Sequence, residues 1–284
     1  MIDETVAEIE GMQTHSSSVV AVKAAEALRE LFDRDYPTVE EYVRDLERNS
    51  NALRRANPSH ATLHTTQREI VEAVGETGGT DVAAAKERTE EVIAAVVAEV
   101  ETGKERAAAA AAERLEDGMT VLTHDYSSTL LEAIEMAARD GAHLDVYVTE
   151  GRPRYLGRKT ARTLAGIDRV DPHLLVDSAA GHVLDDCDVA AFGMTCIVGE
   201  RYYNRIGTFP ISATANELAV PVWVVGSSSK IIESGGFSFE NETRSPIEVM
   251  REPAEGFTVV NPAYDETPLH LVDTVITDAG VRTP

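Results

Sequence analysis

Polar residues that can bind or transform a small ligand recur in the second half of the chain, each just after a short apolar run. Asp125 and Ser127 follow the first run, Arg152 the second, Asp177 the third and Thr195 the fourth. Arginine and lysine bind phosphate through charge-assisted hydrogen bonds, and a carboxylate such as that of Asp125 can act as a base. The candidate site residues are Asp125, Thr195, Ser127, Arg152, Asp177, Asn204, Arg205 and Lys230.

The same residue types also have a purely structural explanation. Loops that follow strands are polar, and Ser127 followed by Ser128 is typical of a cap at the start of a helix. The residue types alone therefore fit both a ligand site and a series of turns and caps.

Common sequence fingerprints of catalysis are missing from the chain. It contains no GxGxxG after the first strand, no GxxxxGK[ST], no HExxH and no GxSxG. The lack of these motifs argues against a standard glycine-rich nucleotide-binding loop, a zinc protease site and a serine hydrolase site. Cys187 and Cys196 have no CxxC spacing and no histidine cluster beside them, so we predict no disulfide, no metal site and no cofactor.

The elements that must position the candidate residues follow the pattern of a parallel sheet. From Asp117-Gly118 onward, short apolar runs alternate with helical patterns, as in βαβ units. Because the carboxyl ends of parallel strands share one edge of the sheet, we expect the candidate residues to line a common rim. The predicted elements are Val121–Leu122, Thr129–Asp140, Leu144–Val148, Gly157–Leu164, Leu174–Val176, Asp188–Phe192, Phe209–Leu218, Val220–Val225 and Val272–Ile276.

Two runs in the stretch Leu174–Thr208 are predicted to be buried parallel strands. Leu174–Val176 and Asp188–Phe192 are almost wholly apolar, which is typical of strands covered on both faces. The end of the stretch, which contains Asn204 and Arg205, is predicted to be a loop.

The first part of the chain is predicted to be helical. Apolar residues recur there at helical spacing, and the helices are interrupted near Pro37, at Asn57-Pro58-Ser59 and at Gly75–Gly79. Asp81 is expected to cap a long helix that reaches about Glu116.

The run Ala107–Ala112 in that last helix is interpreted as a strong helix former on a partly exposed surface. We predict two domains, a helical one at 1–116 and one with a mainly parallel sheet at 117–284. The predicted fold class is therefore α/β.

The charge of the chain restricts its partners. It has 26 basic against 49 acidic residues and a net charge of -23. This disfavours direct binding to nucleic acid or to an anionic membrane, because attraction to phosphate dominates such binding. Acidic excess with few lysines is typical of haloarchaeal proteins that work in very high salt, where the screening length falls to about 3 Å. An ordinary acidic protein is the alternative.

The sequence favours a cytoplasmic protein. The segment MIDETVAEIE at its start lacks the basic and apolar regions of a signal peptide. No apolar run approaches the ~18 residues that span a bilayer.

Five segments of the chain occur in the order of a known set of motifs. They are Val121-Leu122-Thr123-His124, Thr149-Glu150-Gly151-Arg152-Pro153, Asp177-Ser178-Ala179-Ala180, Asn204-Arg205-Ile206-Gly207-Thr208 and Asn261-Pro262-Ala263-Tyr264-Asp265-Glu266-Thr267-Pro268. The series resembles the translation initiation factor 2B alpha/beta/delta family, which also holds ribose-1,5-bisphosphate isomerases and methylthioribose-1-phosphate isomerases. The resemblance covers residue 117 to the end. It implies a Rossmann-like C-terminal domain that dimerises, with further assembly into hexamers in some members.

The resemblance also implies which positions would be catalytic, and both are substituted here. Family isomerases carry a catalytic Cys after the Thr-His pair, where this chain has Asp125, and a catalytic Asp where it has Thr195. Asp125 can still be a base, but Thr195 cannot ionise usefully near neutral pH. Cys196 is expected to be a buried apolar cysteine and not a displaced catalytic thiol.

Phosphate-binding positions implied by the resemblance are altered as well. Two arginine-containing motifs of the family correspond to Thr14-His15-Ser16 and Asn57-Pro58-Ser59. Arg205 stands where Lys is usual, and Lys230 is retained.

These departures lead to ranked hypotheses. The first is a non-catalytic or divergent family member that binds a small phosphorylated metabolite or nucleotide and forms a homodimer or hexamer. The alternative is an aldose–ketose isomerase acting on a sugar phosphate, with Asp125 as its base. A third is a partner protein of translation initiation factor 2.

Overall fold

The computed structural model describes residues 2–11, 17–77, 81–232, 237–252 and 255–284. The chain divides into two compact units, Met1–Gly103 and Lys104–Pro284. This division lies inside the last long helix of the first part of the chain, whereas the sequence places the limit between residues 116 and 117. The domain limits 1–116 and 117–284 stay a prediction.

Helices form the N-terminal unit, and two of their starts are capped by side chains, one of them by Asp81 as expected from the sequence. Thr38 Oγ1 accepts a hydrogen bond from Glu41 N at 3.3 Å, and Asp81 Oδ1 accepts one from Ala84 N at 2.8 Å. The helices are α1 (Ile2–Glu10), α2 (Ser17–Ala27), a 3-10 turn (Leu28–Asp33), α3 (Val39–Ala56), α4 (Ala61–Thr77) and α5 (Val82–Ala112), which continues into the C-terminal unit.

The turn between α3 and α4 is Asn57-Pro58-Ser59, which is built from its own polar groups. Asn57 Oδ1 accepts a hydrogen bond from Ser59 N at 3.2 Å, and both residues are buried. The other altered phosphate-binding motif, Thr14-His15-Ser16, lies outside the described residues.

Strands dominate the C-terminal unit. They are β1 (Thr120–His124), β2 (Leu144–Thr149), β3 (Val170–Leu175), β4 (Val189–Gly193), β5 (Cys196–Val198), β6 (Arg201–Arg205), β7 (Val222–Val225), β8 (Ile231–Ile232), β9 (Tyr264–Pro268), β10 (Thr274–Thr277) and β11 (Gly280–Arg282). A 7-stranded sheet has the order β11-β10-β7-β4-β1-β2-β3, parallel throughout except for the antiparallel edge strand β11.

Helices cover both faces of this sheet, because β1 presents successive residues to opposite sides. Val121 packs in a cluster with the end of α5, α6 (Ser128–Arg139) and α7 (Gly157–Leu164). Leu122 packs in another with α8 (Ala180–Val183) and α9 (Thr208–Glu217). The predicted α/β class, with N-terminal helices followed by a Rossmann-like, mainly parallel sheet, is confirmed.

The alanine run at the end of α5 is helical and partly exposed, as expected, since Ala109 is exposed and Ala110 and Ala112 are half-buried. Its other face is buried: Ala107 and Ala108 are fully buried, and Ala108 and Ala111 belong to the core that also contains Leu130. Small side chains on this face let helix and core approach closely.

A second, 4-stranded sheet, in the order β8-β5-β6-β9, was not predicted. Asn204 and Arg205 lie on β6, opposite Asp265 and Tyr264 of β9, and not in a loop. The sequence did not predict β6 because it has no apolar run. It reads Arg-Tyr-Tyr-Asn-Arg, and of these residues Tyr202 and Asn204 are buried.

The prediction that Leu174–Val176 is a buried strand was wrong. Leu174 and Leu175 end β3, which is an edge strand, and Val176 follows it; Leu174 and Val176 are exposed by 50% and 55%. The strand begins at Val170 and continues with Asp171, Pro172 and His173, which the prediction did not include. An apolar run of three residues was too short to distinguish an edge strand from a central one.

Within the ranges that the structure describes, no helix is long and apolar enough to cross a membrane.

Acidic side chains lie at the surface almost everywhere in the structure. Among the described residues, Asp125 is the one aspartate or glutamate that is buried. The excess of negative charge therefore faces solvent, where salt can screen it.

We expect the melting temperature to rise when KCl is increased from about 0.15 M to about 1 M, because the screening length falls from about 8 Å to about 3 Å. For a chain of this size each kcal/mol gained raises it by about 2–4 °C. Thermal unfolding followed by circular dichroism measures this. A melting temperature that is flat or falls over this range contradicts the salt-adapted interpretation.

Candidate functional site

The centre of the candidate site is set by the topology of the larger sheet. From β1 the chain proceeds outward through β2 and β3 in one direction, and through β4, β7 and β10 in the other. Ligands of doubly wound sheets bind at the carboxyl ends of the strands on either side of such a reversal. Here those ends are His124-Asp125 after β1 and Gly193-Met194 after β4.

Asp125 is held in place by its neighbours on the adjoining loop and helix. It adopts a left-handed backbone conformation (φ 59°), and its carbonyl oxygen accepts a hydrogen bond from Thr160 Oγ1 of α7 at 2.6 Å. Gly151 packs directly on the carboxylate: a Cβ there would lie 2.8 Å from Asp125 Oδ1. A glycine is needed for this approach, which leaves Asp125 only 6% exposed.

The two oxygens of this carboxylate differ in their contacts. Oδ2 lies 3.6 Å from Nε of Arg205, while Oδ1 has no hydrogen-bond partner among the residues described. Burial raises the pKa of Asp125, and the charges of Arg205, His124 and Arg154 oppose that rise, while Asp177 adds to it. Burial prevails, so the pKa of this carboxyl is above its ordinary value.

Arg154 is a ligand-binding candidate that the sequence analysis missed. Its Nη1 is buried and finds no acceptor within the described parts of the chain. Burial lowers the pKa of this guanidinium, and Arg244 and Arg205 lower it further. Arg244, in contrast, is bound to Glu248 at 2.7 Å and Glu242 at 2.6 Å.

A signal for Arg154 was present in the sequence. It lies two residues beyond Arg152, within the loop after β2, and Arg152 was chosen because it follows the second apolar run and belongs to the Thr149–Pro153 motif. The structure places Arg152 at the surface, where its Nη2 donates to the carbonyl of Val249 at 3.0 Å.

Lys230 lies at the same rim and is almost fully buried. Its Nζ donates to the carbonyl oxygen of Met194 at 2.8 Å. Burial lowers the pKa of Lys230 to about 8, with smaller effects in the same direction from Lys104 and Arg205. The pKa of this amine is therefore closer to neutral pH than that of an exposed lysine.

Thr195 and Cys196 begin the second sheet and offer no ionisable group for acid–base chemistry. The Thr195 amide donates to the carbonyl of Tyr203 at 3.2 Å, and its side chain is half-buried. Cys196 is fully buried on β5, and burial raises the pKa of its thiol to about 12. As expected, it is a buried cysteine.

Two other predicted residues have their polar atoms engaged within the fold. Asp177 accepts hydrogen bonds from Gly151 N at 2.8 Å and from Arg152 N at 2.7 Å, so it fixes the loop that packs on Asp125. Ser127 Oγ accepts one from Leu130 N at 3.2 Å, which is the helix cap that the sequence also suggested.

Asn204 and the start of α9 are also occupied. Asn204 Nδ2 donates to Thr208 Oγ1 at 3.1 Å. Asp265 Oδ2 accepts hydrogen bonds from Gly207 N and Phe209 N at 2.7 and 2.9 Å. A carboxylate therefore fills the helix start, which in many α/β folds receives a phosphate.

His124, the last residue of β1, forms contacts with both β2 and the segment before α9. Its Nε2 donates to the carbonyl of Ile206 at 2.7 Å, and its Nδ1 lies 2.6 Å from Thr149 Oγ1. Gly207 packs against the imidazole, since a Cβ there would lie 2.7 Å from Nε2. The imidazole therefore links the end of β1 to the end of β2 and to the segment before α9.

The structure thus brings together Asp125, Arg205, Arg154 and Lys230 as buried or half-buried groups, while Asp177, Ser127 and Asn204 support the loops around them. Among the described residues no group of histidine, cysteine, aspartate and glutamate is arranged to hold a metal ion. A cavity of about 810 Å³ lies in the N-terminal unit between Thr38, Val43 and Val74.

Comparisons with known proteins agree on one family. A sequence profile described as the Initiation factor 2 subunit family matches residues 13–284. The chain is 30% identical to a ribose 1,5-bisphosphate isomerase of Methanocaldococcus jannaschii, over 100% of this chain and 92% of that protein.

Solved structures share the fold. The translation initiation factor eIF-2B of Pyrococcus horikoshii OT3 superposes with a TM-score of 0.83 at 24% identity, over 100% of this chain and 97% of that one. A tetrameric eIF2B-beta2-delta2 complex from C. thermophilum contains a chain that superposes with a TM-score of 0.75 at 18% identity, over 99% of this chain and 90% of that one.

Replacing Asp125 with asparagine is expected to raise the free energy of unfolding at neutral pH by about 0.5–2 kcal/mol. The change removes a charge whose burial the neighbouring cations do not offset, and asparagine tolerates the left-handed backbone. Since the pKa of Asp125 is higher in the folded protein than in the unfolded chain, the wild type loses stability as the pH rises from the unfolded-state pKa to the folded-state pKa. The advantage of Asp125→Asn should therefore shrink in acid. Urea unfolding at a series of pH values measures it.

The matched control is Asp177→Asn, the same substitution at the same rim. Both carboxylate oxygens of Asp177 accept backbone N–H groups, so this variant should lose about 1–3 kcal/mol. If both variants are destabilised alike, the carboxylate of Asp125 is not the unfavourable buried charge described above.

Proposed function

The chain belongs to the Initiation factor 2 subunit family, and we propose that this member is a non-catalytic or divergent one that binds a small phosphorylated metabolite or nucleotide. The ligand would lie at the carboxyl ends of β1 and β4, with its phosphate against Arg154 and Arg205.

The observation that carries this proposal is the buried Nη1 of Arg154, which has no acceptor among the described residues. A buried N–H group without an acceptor is costly, and an anionic ligand would supply the missing acceptor. Arg205 lies at the same rim, and among the described residues its one ion-pair partner is Asp125, whose Oδ2 lies 3.6 Å from Arg205 Nε. A phosphate would satisfy both guanidinium groups with charge-assisted hydrogen bonds.

The lack of an acid–base pair supports binding without isomerisation. Moving a proton between neighbouring sugar carbons requires a base and an acid whose pKa values are near the working pH. Thr195 stands where the family isomerases have their aspartate, and the thiol of Cys196 has its pKa raised to about 12.

The alternative is an aldose–ketose isomerase, and one observation favours it. Asp125 is a buried carboxyl with a raised pKa, which is how enzymes prepare a carboxylate base. The name of the Methanocaldococcus jannaschii relative, ribose 1,5-bisphosphate isomerase, points the same way.

Calorimetric titration in molar KCl tests ligand binding, with ribose 5-phosphate, AMP and ribose 1,5-bisphosphate as probes. We expect Arg154→Gln and Arg205→Gln each to weaken binding by about ten-fold to a hundred-fold, since each removes a charged donor. The control is Arg139→Gln on α6, an exposed arginine paired with Glu135 at 3.0 Å, which should bind like the wild type. Equal affinities for all variants would contradict the proposed site.

Turnover separates the two candidate functions. Ribose 1,5-bisphosphate incubated with the wild type in molar KCl and followed by phosphorus NMR should stay unchanged. Conversion to the ketose, abolished by Asp125→Asn, would establish the isomerase instead.

We also propose that the chain forms a homodimer or a larger homo-oligomer such as a hexamer. The tetramer formed by the structurally similar eIF2B beta and delta subunits supports this proposal. Light scattering after size exclusion in molar KCl should give a mass at least twice 30.7 kDa. A mass of 30.7 kDa contradicts this. Contact with translation initiation factor 2 is the third hypothesis, and its test is co-purification at native salt.

A further inference from the structure

We infer that an anion binds to Arg154 and Arg205 together with one proton, and that this proton is carried by Asp125. The inference rests on the proposed function, because it requires an anionic ligand at this rim. It assigns to Asp125 the role of a hydrogen-bond donor to the ligand and not that of a base.

The groups that face Asp125 come from each loop around it. They are Arg205 from β6, Arg154 from the loop after β2, His124 from β1 and Asp177 after β3. Within the described parts of the chain, Arg205 alone forms an ion pair with the carboxylate, at 3.6 Å, and Oδ1 faces the backbone of Gly151. The ionised form of Asp125 therefore depends on a few cations, and two of these are the proposed anchors of the anion.

An anion on those arginines changes the balance at Asp125. It neutralises the positive charges that favour the carboxylate, and it brings a second negative charge close to a buried one. Both effects favour the neutral carboxylic acid. Neither Thr160, which is bonded to the backbone carbonyl, nor Gly151 supplies a compensating donor to the side chain.

A protonated Asp125 also improves the contacts of the ligand. A neutral carboxyl group has one O–H donor, and on Oδ2, which lies 3.6 Å from Arg205 Nε, this donor is next to a proposed anchor of the anion. The proton comes from solvent, a single O–H bond forms on Asp125, and the acid donates to an oxygen of the anion. An ionised carboxylate at the same place would repel that oxygen.

The competing arrangement leaves Asp125 ionised and lets it accept a hydrogen bond from a hydroxyl group of the ligand. It makes opposite predictions. Ligand uptake would then involve no proton on Asp125, and removal of the carboxylate would weaken binding.

The test is calorimetric titration of ribose 5-phosphate in two buffers of different ionisation enthalpy, repeated between about pH 6 and about pH 8. A phosphate monoester titrates near pH 6 itself, so the comparison is made between wild type and Asp125→Asn. The wild type should take up a larger fraction of a proton per ligand than the variant. Its affinity should also fall more steeply as pH rises.

Asp125→Asn should bind more tightly than the wild type at about pH 8, by roughly ten-fold, because the amide donates where the wild type must first acquire a proton. The control Asp145→Asn, at an exposed aspartate on β2 paired with His173, should leave both affinity and proton uptake unchanged. Infrared difference spectra of bound against free protein should show a protonated carboxyl band that Asp125→Asn lacks.

Each remaining outcome overturns the inference. If ribose 5-phosphate binds with equal proton uptake in both proteins, or if Asp125→Asn binds more weakly, Asp125 is an ionised acceptor, and the proposed function still stands. If neither ribose 5-phosphate nor AMP binds at any pH, the proposed function fails as well.

Discussion

The burial of one carboxylate among cations is the constraint around which the C-terminal unit is arranged. The chain has 49 acidic residues, and among those that the structure describes Asp125 is the one that is buried with a carboxylate oxygen left without a hydrogen-bond partner. Burial of such a charge is unfavourable unless other groups balance it, and here the balance is incomplete because Oδ1 has no partner within the described residues. A residue kept in this state is better explained by a ligand than by stability.

The surrounding architecture serves to hold that group in place. The order of the large sheet puts β1 beside β4, and the smaller sheet presents Arg205 from β6 to the same rim. Asp177 fixes the loop that carries Gly151, and Thr160 fixes the carbonyl of Asp125 itself. The polar residues at the strand ends therefore fall into two classes, those that support loops and those that remain available to a ligand.

Much of this fold was predictable, and the reasons for the exceptions are physical. The alternation of strands and helices after residue 117 predicted the parallel sheet, since its central strands are apolar on both faces. The second sheet could not be found in this way, because β6 buries Tyr202 and Asn204 while Arg201 faces solvent. Edge strand β3 was mistaken for a buried one because Leu174 and Val176 are apolar although exposed.

The candidate site was predictable to a similar degree. Asp125 and Lys230 were chosen as polar residues after apolar runs and Arg205 as part of the segment Asn204–Thr208, and the structure places all three at one rim. The unsatisfied guanidinium of Arg154 was not predictable, because burial and the lack of an acceptor are tertiary properties. The supporting roles of Asp177 and Asn204 were hidden for the same reason, since an aspartate that bonds backbone amides and one that awaits a ligand are identical in sequence.

The most direct test of the account is a crystal structure of the protein soaked with ribose 1,5-bisphosphate in molar KCl. The account predicts unreacted ligand, with one phosphate in contact with the guanidinium groups of both Arg154 and Arg205 and one phosphate oxygen within hydrogen-bond distance of Asp125. Density for the ketose product, or a phosphate held elsewhere with the Arg154 guanidinium still unpartnered, would contradict it.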